Sequence, residues 1–134
     1  MKAIQSYLNF DGNTADAMKF YANALGGDLQ MQTFGDAKIP VPPGAESRVL
    51  HARLEKGSVV LMASDSPPGM SVTFGNNYHI NVDCDDKAEV DRLMNALGEG
   101  GTIRMPAQEM FWGAYFGMLT DKFGVNWMFN AETK

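Results

Sequence analysis

The four residues Asn-Ala-Leu-Gly occur twice, at 23–26 and again at 95–98, and this recurrence constrains the fold more than any other feature of the chain. The slide of 72 positions that superposes the two copies also puts Asn9 on Asn81 and Asp11 on Asp83. Leu8 then meets Ile80, Phe10 meets Val82, Met18 meets Val90 and Tyr21 meets Leu93. Identity and hydrophobic pattern agree over about twenty positions, which is the signature of an internal repeat.

Each copy opens as a strand. In "YLNFD" and "HINVD" apolar residues alternate with polar ones, so one face turns toward an apolar layer. Each strand then runs into a helix. Asn13 or Thr14 can cap the first, and Asp86 with Glu89 three residues on forms a capping-box pattern for the second. Ala17, Met18, Tyr21, Ala24 and Leu25 share a face of the first helix; Val90, Leu93, Met94 and Leu97 share a face of the second. Gly26-Gly27 and Gly98 are the expected left-handed stops.

Further strands follow in "GDLQMQTFGD" and "ESRVLHARLEKGSVVLMASD", then in "GTIRMP" and "GAYFGMLTDKFGVNWMFN", with "EKGS" and "DKFG" as hairpin turns. A slide of 67 aligns the last hairpins, placing Gly57 on Gly124 and Leu61 on Met128. The reading is α+β: one domain over 1–134 made of two tandem βαβββ modules, at about 1–65 and 78–134, with a linker over about 66–77. A module of about 60 residues has little core of its own, so the two belong to one domain.

Composition narrows the function classes. The net charge of −5 works against phosphate binding, so nucleic acid is not an expected partner. No run reaches the roughly 18 apolar residues needed to span a bilayer. The opening stretch has no apolar core of signal-peptide length, and the expected location is the cytoplasm. The single cysteine, Cys84, has no intramolecular partner, and its acidic neighbours Asp83, Asp85 and Asp86 would raise its pKa. No "GxSxG" nucleophile motif is present.

The segments "YLNFDGNTADAMKFYANALGG", "VLHARLEKGSVVLMASD" and "FWGAYFGMLTDKFGVNW" together resemble the PhnB-like branch of the vicinal oxygen chelate superfamily, home of glyoxalase I, extradiol dioxygenases and bleomycin-resistance proteins. The resemblance covers nearly the whole chain. It implies two βαβββ modules whose curved mixed sheets enclose a ligand cavity, often across a homodimer with exchanged modules. Many such sequences carry a name taken from ubiquinone methyltransferases, yet no glycine-rich "GxGxG" loop follows a strand here.

Metal-dependent members of that superfamily place ligands on the first and last strand of each module. Here those positions fall on Tyr7, Leu61, His79 and Met128, of which only His79 is a good ligand for a hard or borderline divalent ion. The expectation is therefore no metal and no cofactor. The alternatives are a metal site gathered by His51, Glu55 and His79 that supports glyoxalase-type lyase, isomerase or dioxygenase chemistry, and a drug-sequestering protein of the resistance type. A filled interior with a purely structural role is a third possibility.

Strand alternation sorts the site. If Leu8, Phe10, Ile80 and Val82 pack beneath the helices, then Tyr7, Asn9, His79 and Asn81 face the opposite side. Leu61, Met128 and Trp127 are expected as apolar wall, with Trp112 and Phe116 near the mouth and His51 at the rim. His51 and His79 are the candidate general acid–base groups; whether any chemistry occurs is left open. The expected partner is a small organic molecule, bound by a homodimer.

Overall fold

The structure is a computed structural model and describes residues 1–133. The chain divides into two compact units, Met1–Thr73 and Phe74–Lys134. The first unit comprises β1 (Ser6–Phe10), α1 (Thr14–Leu25), β2 (Asp28–Thr33), β3 (Val49–Lys56) and β4 (Val59–Asp65). The second comprises β5 (Ile80–Asp83), α2 (Lys87–Gly98), β6 (Thr102–Met110), β7 (Ala114–Thr120) and β8 (Asn126–Glu132). Both are βαβββ, and the fold is α+β as the repeat requires.

The two sheets have one topology. Their strand orders are β1-β4-β3-β2 and β5-β8-β7-β6. In each, the first strand pairs parallel with the last, and the remaining pairs are antiparallel. One helix covers one face of each sheet, α1 lying on β2, β3 and β4, and α2 on β6, β7 and β8. The opposite face carries no helix of its own unit and is called the open face below.

Burial follows from this layering. In the first unit Met18, Tyr21, Phe10, Leu54 and Leu61 fill the space between helix and sheet. In the second, Val90, Leu93, Leu97, Leu119, Trp127 and Phe129 do so, with the Trp127 and Phe129 rings stacked at 6° and 6.3 Å. The helix faces expected from the 3.6-residue period are the buried ones, except that Leu25 at the end of α1 is only half-buried.

The helix ends differ. Asp86 caps α2 by accepting from Glu89 N at 2.8 Å while Glu89 Oε1 accepts from Asp85 N at 3.0 Å, a variant of the capping box whose return bond reaches the residue before the cap. Asn13 occupies the N-cap of α1 but makes no side-chain cap bond. Its role is taken from 51 residues away by Asp65, which is 4% exposed. Asp65 Oδ1 accepts from Gly12 N, Thr14 N and Thr14 Oγ1, and Oδ2 accepts from Val49 N, all within 3.1 Å. At the other end Gly26 and Gly27 stop α1 with φ of 78° and 100°. Gly98 does not play that part. It stays helical, and the left-handed residue after α2 is Gly100, with φ of 75°.

Candidate functional site

Period-two alternation puts a different set of side chains on each open face. In the first unit Tyr7, Met62, Arg53 and Gln30 stand opposite one another across β1, β4, β3 and β2. His51 lies beside them, opposite Gln32. Tyr7 Oη and His51 Nδ1 are 3.3 Å apart, with ring centroids separated by 5.8 Å. The phenol and the imidazole are thus at the long end of hydrogen-bond distance from one another. Asn9 is exposed on the same face.

In the second unit Asn81, Met128, Met118 and Met105 form the corresponding kind of row across β5, β8, β7 and β6. The next row holds Asp83, Asn130, Phe116 and Gln108. Asn130 Nδ2 donates to Asp83 Oδ1 at 3.4 Å. Trp112, half exposed in the β6–β7 turn, meets Phe116 edge to face at 6.0 Å, and Phe111 meets Trp112 in the same way at 5.1 Å. His79, directly before β5, is exposed. Thioethers and aromatic rings therefore make a soft apolar wall, edged by amides and a carboxylate.

Two expected wall residues are elsewhere. Leu61 is 3% exposed and Trp127 1% exposed, both on the helix-covered face. Trp127 Nε1 donates to the buried carboxylate of Asp121 at 2.9 Å. The cause is parity. Aligning Gly57 with Gly124 matched a two-residue loop between β3 and β4 to a five-residue loop between β7 and β8. The odd slide of 67 it produced exchanges the two faces of the strand. Leu61 therefore does not correspond in orientation to Met128, which is on the open face. Met62 is the open-face residue beside Tyr7, and alternation along "VVLMASD" could have found it. Met105 and Met118 were missed because the period alone does not say which strands are neighbours.

Of the four positions at which glyoxalase-type relatives place metal ligands, His79 alone offers a good donor. Leu61 is buried with no donor atom, Met128 offers a soft thioether, and Tyr7 is engaged with His51. Among the described residues no group of three or more His, Cys, Asp or Glu side chains could hold a metal ion. Cys84 is half-buried, and that burial, reinforced by Glu89, Asp83 and Asp85, pushes its thiol up to about 12. It is a poor nucleophile near neutral pH.

The family described as 3-demethylubiquinone-9 3-methyltransferase matches residues 2–129. The chain belongs to that family, the PhnB-like one. Protein PA1353 from Pseudomonas aeruginosa is 44% identical with a TM-score of 0.88, covering 98% of this chain and 100% of its own. The PhnB protein from Bacillus cereus is 28% identical with a TM-score of 0.79, covering 97% and 99%. A glyoxalase/bleomycin resistance/dioxygenase family enzyme from Burkholderia phytofirmans PsJN, at 23% identity and a TM-score of 0.63, shares the fold over 97% of this chain and 99% of its own. The family's description speaks of methyl transfer, but the strand-to-helix junctions do not fit a methyl-donor loop. After β1 the backbone N–H groups are taken by Asp65, and after β5 by Asp86 and Glu89. Among the described residues no helix is long and apolar enough to cross a membrane.

Proposed function

We propose that this PhnB-like protein binds a small organic molecule, without a metal ion, on the open faces of its sheets. The observation that carries the reading is the row Asn81, Met128, Met118 and Met105 beside Phe116 and Trp112. An adaptable apolar wall with a few polar groups at its edge is the usual form of a small-molecule site. His79, Asn81 and Asn130 would orient polar atoms of the ligand, and the methionines would follow its apolar outline. On the first unit Tyr7, Asn9 and His51 are the orienting groups. Leu61 and Trp127 are assigned to the core.

Half-exposed Trp112 supplies the readout, because a ligand stacking near it changes its fluorescence while Trp127 stays buried. A panel of small aromatic and heteroaromatic molecules, screened by thermal shift and then titrated by fluorescence, should yield binders. Their affinity should fall about tenfold in His79→Ala or Asn81→Ala, the cost of one lost polar contact of order 1 kcal/mol. Binders whose affinity neither substitution changes would refute the site. The same reading includes a homodimer acting in the cytoplasm; sedimentation of a monomer alone at micromolar concentration would remove the dimer from it.

A further inference from the structure

We infer that the first unit holds a second ligand site, a recess at one end of its sheet that takes a compact zwitterion with an ammonium and a carboxylate a few carbons apart. The recess has a volume of about 410 Å³ and is walled by Asp28, Gln30, Arg53 and Glu55, with Gly27, Lys56 and Gly57 at its end. Such a volume suits a small molecule.

Register fixes the charge pattern. Asp28 stands directly opposite Glu55, and Gln30 directly opposite Arg53. Like charges in direct cross-strand opposition are destabilising, so the Asp28–Glu55 pair leaves a negative site that a cation relieves. Arg53 and Lys56 relieve it only in part, since the Lys56 ammonium is turned to Leu25 O at 3.3 Å and Arg53 is shared between two partners. Arg53 Nε donates to Glu55 Oε2 at 3.3 Å and its Nη1 contacts Met62 Sδ at 3.5 Å. No hydrogen bond among the described residues engages Nη2 of Arg53 or the carboxylate of Asp28. Free donors and free acceptors thus lie two residues apart on one face, about 6.6 Å along the strand.

That spacing selects the ligand. An ammonium seated between Asp28 and Glu55 leaves a carboxylate to reach Arg53 Nη2 and the Gln30 amide if roughly three methylenes join them, which also matches the charge-assisted strength of an Arg–carboxylate contact. Glycine at the start of β2 lets the two backbones approach closely at the end of the recess. Gly27 has φ of 100°, and a Cβ there would lie 2.7 Å from Glu55 O.

The test is titration of the ¹⁵N-labelled full chain with 4-aminobutanoate, against butanoate and butylammonium as single-charge controls. The expected result is saturable shifts confined to residues 27–30 and 53–57, with each control at least about tenfold weaker. Asp28→Asn and Arg53→Gln, both at exposed or half-exposed positions, should each weaken 4-aminobutanoate about tenfold, and Asp28→Asn should do so without lowering the thermal midpoint, because it removes one of two opposed like charges. Absence of shifts at tens of millimolar, equal binding of either control, or indifference to both substitutions would overturn the proposal. Arg53 and Gln30 stand on the open face of the first unit, but none of these residues belongs to that of the second; ligands that lose affinity in His79→Ala and Asn81→Ala while 4-aminobutanoate fails to bind would sink this inference alone.

Discussion

Across the open face of the first unit runs the row Tyr7, Met62, Arg53, Gln30; across that of the second runs Asn81, Met128, Met118, Met105. The helix-covered faces are much more alike. Met18 and Tyr21 correspond to Val90 and Leu93, and by register Ala52 and Ala63 on the sheet correspond to Leu119 and Trp127, all of them buried. Burial restricts those positions to apolar residues that fill a fixed space. The open faces carry no such restriction from within the unit. Once the frame is repeated, a charged polar surface and a thioether–aromatic surface can evolve on equivalent scaffolds, and ligand chemistry belongs to the surfaces.

The comparison is broken most severely at the buried carboxylates. Asp65 binds four donors from three segments of the first unit, whereas Asp121 binds Phe123 N, Val125 N and Trp127 Nε1 around one turn of the second. Asp65→Ala orphans buried donors on β3 and at the start of α1, and should cost about 4 kcal/mol in urea unfolding. Asp121→Ala should cost about 3 kcal/mol, because its turn can open to water. An equal or reversed order would mean that the cap on α1 is not the structural hub of its unit.

A second contrast sets one face against the other. Leu61→Ala leaves a cavity beneath α1 and should cost about 3 kcal/mol, while Met62→Ala next to it should cost less than about 1 kcal/mol. Trp127→Ala and Met128→Ala should repeat the contrast in the second unit. If Met128→Ala proved as costly as Trp127→Ala, the open face would be core and the proposed ligand surface would be lost with it.

These adjacent pairs also show what the sequence makes legible. The repeat, both helix faces and the membership of Tyr7, Asn9 and Asn81 on the outward side follow from local periodicity, which the chain displays directly. Leu61 and Trp127 were misplaced because loops of unequal length intervene, and a shift of one residue is enough to reverse a strand. The contact between Tyr7 and His51, the methionine row and the four bonds of Asp65 depend on pairings between residues 10 to 53 positions apart. No local pattern reports such pairings.

Smaller effects separate the two helix stops. Gly27→Ala forces a Cβ toward the Glu55 carbonyl in a left-handed conformation, and should cost about 2 kcal/mol. Gly98 is helical, and its added Cβ would meet the movable tip of Ile103 at 2.9 Å. Gly98→Ala should therefore stay within about 1 kcal/mol of the parent, since the helical preference for alanine offsets the crowding. Thermal midpoints of the two variants compare them directly.

The smallest expected difference lies at the helix starts. Asp86 supplies the side-chain oxygen that accepts from Glu89 N, so Asp86→Ala should destabilise α2 by about 1 kcal/mol. Asn13 sits at the same position of α1, but its side chain makes no cap bond, and the helix start is instead held by Asp65 accepting from Thr14 N. Asn13→Ala should accordingly cost no more than about 0.3 kcal/mol. Asn13→Ala should, in addition, cost no more in an Asp65→Asn background than it does alone, because an amide at 65 can still accept from Thr14 N. If the loss at Asn13 rose toward that at Asp86 only after Asp65 was altered, a latent local cap would exist beneath the tertiary one, and the two helix starts would be alike in origin.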